Sequence, residues 1–310
     1  MNHLVSVIVI SYNSSNYILE TLESIKVQTY QNIELIISDD GSKDETIEIC
    51  EKWITENKNR FIHTQIITVE KNTGIPANCN RGIHASKGEW IKLIAGDDLL
   101  LNNCIEVFCK NTGVGRILVG SYQLFSYKSG QKILGEIRPA KPELRLFDLE
   151  ADEQYKKLLT ENFNFAPATF IKKEVFQEYG LFLEQYTLIE DLPYWLHITK
   201  KGQKISYIDE VVVEYRTMHE SISMTVESFY RINFMDGLLR FRKEMIYPNI
   251  SPWNFLYFQK EFVDRAAYII IKKIFNNKRN TLTTTIRSLF IYLTLQLYVN
   301  YFNKKFNSKP

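Results

Sequence analysis

Ile33-Glu34-Leu35-Ile36-Ile37-Ser38-Asp39-Asp40-Gly41-Ser42 is the stretch that decides the fold. Residues 33–37 read as a buried strand, and that strand ends in two adjacent carboxylates and a turn. Residues 5–10, N-terminal to it, are a continuous β-branched run, the pattern of a strand covered on both faces. They end in Ser11-Tyr12-Asn13. Between the two runs, Ile18, Leu22 and Ile25 fall on one helical stripe. Beyond the second run, Ser42 with Glu45 fits a capping box, and Ile47, Cys50 and Ile54 continue as a helical face. Residues 65–69 read as a third strand, 76–85 as a helix and 90–94 as a fourth strand stopping at Gly96-Asp97-Asp98. Strands alternating with helices imply βαβ units and a mostly parallel sheet. In such sheets ligands bind beyond the carboxyl ends of the strands. Three strands here end in polar clusters that can converge on one crevice.

The remainder is read more coarsely. Residues 116–125 and 168–171 have strand character, and 128–165 read as a loop-rich, acceptor-facing segment. Residues 190–198 are helical, with Pro193 tolerable in a first turn. Residues 205–215 read as strand, 219–221 as loop, and the chain is helical from 228 onward. This gives a body over 1–227, divided at about residue 100, and an extension over 228–310.

Charge divides at the same place. Residues 1–227 hold 24 Lys/Arg and 32 Asp/Glu, whereas 228–310 hold 14 and 4. A basic aromatic tail on an acidic body suggests two regions with different partners. The four cysteines, Cys50, Cys79, Cys104 and Cys109, form no C-x-x-C pair, so a zinc site is not expected, and they read as reduced cysteines of a cytosolic protein. Met1-Asn2-His3-Leu4 runs straight into a strand with no basic region of a signal peptide. The apolar run over 289–299 is about half of what crosses a bilayer.

Adjacent carboxylates after buried strands are costly to desolvate without compensation. A hard divalent cation with a diphosphate compensates Asp97-Asp98 naturally. Taken alone, each pair is equally well read as a turn, with Asp97 capping a helix near Leu99 and Asp39-Asp40-Gly41-Ser42 starting another. The two pairs together are much stronger.

With residues 5–13, Asp39-Asp40-Gly41-Ser42-Lys43-Asp44, Asn72-Thr73-Gly74, Lys87-Gly88-Glu89-Trp90-Ile91-Lys92 and Gly96-Asp97-Asp98 in this order, the chain resembles the family 2 glycosyltransferases over about 4–222. The resemblance implies the GT-A fold, an α/β nucleotide-binding domain with a mixed, mostly parallel sheet, here with a C-terminal helical extension. It implies an inverting transfer from a nucleotide-diphosphate sugar, by family habit a UDP-sugar, to a hydroxyl of a glycan or lipid-linked acceptor in surface polysaccharide synthesis. By position, Asp39 resembles the base-recognising aspartate, with Ser11, Tyr12 and Asn13 lining the nucleoside pocket and Asp40, Asn72 and Arg81 beside them. Asp97 would face the ribose, and Asp98 would hold Mn2+ or Mg2+. Glu190-Asp191 resembles the later acidic motif, whose aspartate is the general base. His219 resembles a histidine that completes the metal site in some members. Cys79 departs from the pattern, standing where an arginine is frequent, so either Arg81 covers that role from two positions away or the donor phosphate is held differently. Arg216 reads as a diphosphate ligand or as the partner of Glu214 or Glu220.

Rival readings are a degenerate member serving as a membrane-bound assembly partner and a nucleotidylyltransferase. The second lacks the Gly-rich phosphate loop it would need after residue 10. Nucleic acid is not an expected partner of the whole chain. Residues 268–310, with Lys272-Lys273, Lys278-Arg279, Arg287 and Lys304-Lys305 around the 289–299 run, read as a surface for anionic membrane at the inner face of the cell membrane, or as a helical subdomain or dimer contact.

Overall fold

A computed structural model describes residues 2–161, 163–217 and 228–292. The chain divides into two compact units, Met1–Thr217 and Met218–Pro310.

The first unit runs β1 (Val5–Ser11), α1 (Ile18–Lys26), β2 (Ile33–Asp39), α2 (Thr46–Asn57), β3 (His63–Thr68), α3 (Ile75–Ala85), β4 (Trp90–Ala95), β5 (Leu99–Leu100) and α4 (Cys104–Lys110). It continues with β6 (Ile117–Lys128), β7 (Gln131–Arg138), α5 (Ala151–Leu158), β8 (Thr169–Lys172), α6 (Lys173–Tyr179), α7 (Asp191–Lys200) and β9 (Ser206–Arg216). The strands form one mixed sheet in the order β3-β2-β1-β4-β8-β6-β9-β5, with β7 pairing β6. Its N-terminal part, β1 to β4, is entirely parallel, as the βαβ alternation predicts. Antiparallel β8 joins that part to β6.

The continuous apolar runs follow from burial on both faces. Val5, Val7, Val9, Ile33, Leu35 and Ile37 share a core with Ile18, Leu22 and Ile25 of α1 and Cys50 and Trp53 of α2. Ile8 meets α3, which packs so closely that a Cβ on Gly82 would lie 2.3 Å from Ile8 Cγ2. Phe170 stacks between Trp90 and Phe108, each at 4.9 Å, fastening β8 to β4 and α4. Cys50, Cys79 and Cys104 are buried, and all four cysteines are free thiols.

Several local expectations are corrected. The Ser42–Glu45 capping box does not form. The helix begins at Thr46, and the Ser42 hydroxyl instead donates to Asp39 at 2.5 Å. Residues 128–165 are not loop-rich. They hold the edge strand β7, whose residues are almost all exposed, and α5, which has its own capping box between Glu150 and Glu153. Asp97 caps no helix, because Leu99–Leu100 pairs with β9 and the next helix starts at Cys104.

β6 and β9 run parallel, with register breaks between Val119 and Ser121 and between Ser121 and Tyr122. Tyr207 sits opposite Val119, but Val211 sits opposite Ser121, so β9 carries extra residues at the break. Beyond it the ladder is regular to Arg216.

The second unit contains α8 (Ile232–Phe241), α9 (Phe255–Lys273) and α10 (Thr281–Tyr292). Phe241, Ile246, Val263, Ala267, Tyr268 and Ile271 are buried within it. Among the described residues no helix is long and apolar enough to cross a membrane.

Gly82→Ala separates packing from propensity. Alanine is favoured over glycine in a helix by about 1 kcal/mol, but the contact with Ile8 forces overpacking that costs about 1–3 kcal/mol. Urea denaturation is expected to show net destabilisation; a gain in stability would mean that α3 can shift off β1.

Candidate active site

The carboxyl ends of β1, β2 and β4 meet through their loops. Ser11 lies opposite Asp39 in the parallel ladder and donates its hydroxyl to Asp39 Oδ2 at 2.9 Å. The backbone amide of Asn13, which takes a left-handed conformation, donates to Ser42 Oγ, while Asn13 Oδ1 accepts from the Lys43 amide, both at 2.8 Å. Tyr12 is exposed beside them. Gly96 N–H donates to the Ile10 carbonyl at 2.9 Å, which ties the Gly-Asp-Asp turn to the end of β1.

Asp39 and Asp40 serve different segments. Asp39 is fully buried and accepts from the Gly41 and Ser42 amides and from the hydroxyls of Ser11, Ser42 and Thr68. Asp40 accepts from the Thr73 amide and hydroxyl, the Gly74 amide and Arg81 Nη2, the last at 2.7 Å. Burial would raise the Asp40 carboxyl, but these donors outweigh it and hold the group below its ordinary value. Asn72 is exposed on the same loop. Arg81 is spent on this network, since it also donates to Thr73 Oγ1 and Asn78 Oδ1. Cys79, one turn away on α3, is buried.

The Asp97-Asp98 turn is held from β9. The Arg216 amide donates to Asp98 Oδ1 at 2.9 Å, and its Nε to the Asp97 carbonyl at 2.7 Å. Its Nη2 pairs with Glu20 at 2.6 Å, and its guanidinium lies 4.9, 4.6 and 5.4 Å from the rings of Tyr17, Phe125 and Tyr127. Arg216 therefore pairs with Glu20, while Glu214 pairs with Lys132. Glu220 and His219 lie outside the described residues.

Glu190 and Asp191 begin α7, and Asp191 Oδ1 accepts the Leu192 amide at 2.7 Å. Their loop is docked on the N-terminus of α3. The Ile75 amide donates to the Thr187 carbonyl at 2.9 Å, and Asn80 donates to the Phe182 carbonyl and accepts from its amide, both at 3.0 Å. Gly74 has a φ of 97°, and a Cβ there would lie 2.5 Å from the Thr187 carbonyl. Sequence reasoning missed Asn78, which bonds Ser11 and Ser38 of the sheet, and Asn80, which bonds Phe182 and Glu184 of the loop before α7; the only signal was two amides in one short helix.

Electrostatics show which groups converge. The Tyr215 phenol is pushed up to about 12 by burial and then by the negative charge of Asp98, Asp97, Glu190 and Asp191. Both acidic pairs are therefore within electrostatic reach of one phenol. Burial raises the Asp97 and Asp98 carboxyls, Asp98 strongly, and Asp97 adds to the rise at Asp98. Burial and then Asp191 push Glu190 up to about 8, and burial raises Asp191. The nearby cations are already engaged: Arg81 by Asp40, Arg216 by Glu20 and the Asp97 carbonyl, and buried Lys92 by the carbonyls of Leu93 and Pro167.

This surplus of buried carboxylate fits a divalent cation. Among the described residues no group of three or more His, Cys, Asp or Glu could hold one alone, so Asp98 would share it with ligand oxygens.

The family model described as glycosyl transferase family 2 matches residues 6–180. Glycosyltransferase GlyG of Streptococcus pneumoniae is 36% identical over 134 residues, 42% of each chain. The cholesterol galactosyltransferase of Borreliella burgdorferi is 27% identical over 282 residues, covering 86% of this chain and 76% of that one. The chain spans less than half the length of the first curated relatives it matches, 42% of GlyG and 41% of a Rickettsia felis glycosyltransferase. Staphylococcus aureus TarS 1-349, solved in complex with UDP-GlcNAc, superposes with a TM-score of 0.57 at 17% identity, over 91% of this chain and 78% of that one. It shares the GT-A type of fold expected from the sequence.

The Asp40 network makes a signed prediction. A depressed carboxyl contributes stability at neutral pH that is lost as pH falls through the ordinary aspartate value of about 3.9 and below. Asp40→Asn should be destabilised at pH 7, and its gap to the wild type should close on acidification in denaturant titrations. A gap independent of pH would refute the charge account.

Proposed function

The chain belongs to glycosyl transferase family 2, and we propose that it transfers a sugar, with inversion, from a nucleotide-diphosphate sugar to a hydroxyl of a glycan or lipid-linked acceptor. The observation that carries this reading is the placement of two acidic pairs: Asp98, held at the end of β4 by the Arg216 amide, and Asp191, at the start of α7, whose loop is docked on α3. A uridine diphosphate donor is favoured by the Asp39 position and by the UDP-GlcNAc complex of the structurally similar TarS. Surface polysaccharide synthesis is the pathway, and peripheral attachment at the inner face of the cell membrane is the location, that suit such an acceptor.

In this reading Ser11, Tyr12, Asn13 and Asp39 receive the nucleoside. Because Asp39 is saturated by its own donors, a base imide displaces one of them, and the Ser42 and Thr68 hydroxyls are the two able to rotate away. Asp97 faces the ribose. Asp98, with His219, would hold Mn2+ or Mg2+, and a cation held there would supply neutralisation of the charge on the departing diphosphate. Asp191 takes the proton of the attacking hydroxyl, and attack opposite the leaving group inverts the anomeric centre. Asn72 and Arg81 line the donor side, with Arg81 acting through Asp40.

Glu190, pushed up to about 8, keeps its proton at neutral pH, which suits Asp191 rather than Glu190 to the role of base. Glu190→Gln, which mimics the protonated acid, should retain most of kcat at pH 7, whereas Asp191→Asn should lose on the order of 10³-fold, at the middle of the range for general-base loss. A raised acid binds more protons folded than unfolded, so the wild type should lose stability relative to Glu190→Gln as pH rises from about 4.5 toward 8. Equal loss of activity in both variants would overturn the division of roles.

Donor class is read by thermal denaturation with UDP, GDP, dTDP or CMP, with and without manganese, since a ligand of the folded state raises Tm by mass action. A metal-dependent rise with one diphosphate that disappears in Asp98→Ala supports the transferase. No rise with any of them favours a degenerate scaffold.

A further inference from the structure

In the second unit, all four acidic residues of 228–310 are neutralised from within. Asp236 pairs with Lys272 at 2.9 Å, Glu244 with Arg240 at 2.8 Å, Glu261 with Arg242 at 2.9 Å and Asp264 with Arg287 at 2.7 Å. These pairs match only four of the 14 cations in that stretch. Among the described residues Lys243, Lys260, Arg265, Lys273 and Lys278 are exposed and in no ion pair with a carboxylate.

The excess has a place on α9. One face of this helix, with Val263, Ala267, Tyr268 and Ile271, is buried. At 100° per residue the opposite stripe carries Phe262, Arg265, Ile269 and Lys273, all exposed, with Phe262 at 73% of its full accessibility. Among the described residues neither Arg265 nor Lys273 pairs with a carboxylate. A water-facing stripe should be polar throughout; this one alternates large apolar groups with cations. Just ahead of the helix, Trp253 is 92% exposed, and on α10 Leu282, Leu289 and Tyr292 form a second exposed stripe at helical spacing.

We infer that the Phe262–Lys273 face of α9 is the part of the chain that lies on an anionic lipid bilayer. Phe262 and Ile269 enter the boundary between headgroups and acyl chains, and Arg265 and Lys273 reach the lipid phosphates along their aliphatic stems. Cations interleaved with apolar groups, and an unneutralised positive surface, favour negatively charged lipid over a second copy of the chain, which would have to bury like-charged faces together. This inference rests on the peripheral placement proposed above and gives it an orientation and residues.

The test is flotation of the full chain with vesicles of phosphatidylglycerol and phosphatidylcholine in equal parts, and of phosphatidylcholine alone. The wild type should float with the mixed vesicles and not with phosphatidylcholine alone. Arg265→Gln with Lys273→Gln should weaken binding about 25-fold, near fivefold for each cation, and Phe262→Ser with Ile269→Ser should abolish it. Lys141→Gln with Lys201→Gln, exposed cations of the first unit, should change nothing. Circular dichroism of each variant shows that the helices persist. Wild type that does not float overturns both the face and the peripheral placement. Wild type that floats alongside unimpaired α9 variants overturns the face alone. Loss in the Lys141/Lys201 variant equal to that in the Arg265/Lys273 variant reduces the effect to general charge and overturns the face as well. A concentration-dependent dimer by light scattering, abolished by the Phe262/Ile269 change and accompanied by no flotation, assigns the stripe to a second copy instead.

Discussion

The buried carboxylates at the ends of β2 and β4 are the constraint on which the rest of the first unit turns. A carboxylate at a buried strand end must be solvated by protein, and each one here is solvated by a different distant segment. Asp39 gathers the loops after β1 and β2 with Thr68 of β3. Asp40 gathers the N-terminus of α3 through Thr73, Gly74 and Arg81. Asp98 takes the amide of Arg216 from the far end of β9. The crevice is thus assembled by its own acidic residues, and positioning the donor half, the α3 loop and the end of β9 is one problem rather than three.

The same arrangement decides the electrostatics. Each nearby cation already satisfies an internal acceptor, so neither the Asp97-Asp98 pair nor the Glu190-Asp191 pair has a cation to itself. Such a site binds protons, or a divalent cation with its ligand, more readily than an ordinary surface cluster does. The docked loop through Asn80, Gly74 and Thr187 keeps the Glu190-Asp191 pair in this company.

Much of this was legible in the sequence. β1, β2 and β4 are buried on both faces, so they leave continuous apolar runs, and their ends show as polar clusters. The illegible parts have physical reasons. β7 is an edge strand whose exposed residues carry no core face, and α5 is only eight residues long. The Ser42–Glu45 pattern fits a capping box, but the Ser42 hydroxyl has a stronger acceptor in buried Asp39. Arg216 was weighed against acids near it in sequence, whereas its partner Glu20 is on α1. Cys79 looked like a change within the donor pocket, yet it lies on the buried side of α3. Long-range pairs of this kind leave no local periodicity.

The register break in the β6–β9 pair has a consequence for how such a chain can change. β9 takes up its extra residues between Tyr207 and Val213 and then runs in phase to Arg216, whose amide and guanidinium both reach the Asp97-Asp98 turn. Strand phase is counted in whole residues, and a shift of one turns every side chain to the other face. Insertions or deletions within 213–216 would therefore be unforgiving, because they would rotate Arg216 away from Glu20 and Asp97. The hairpin tip at Ser129-Gly130 carries no such phase, and its open surroundings leave it free to vary in length.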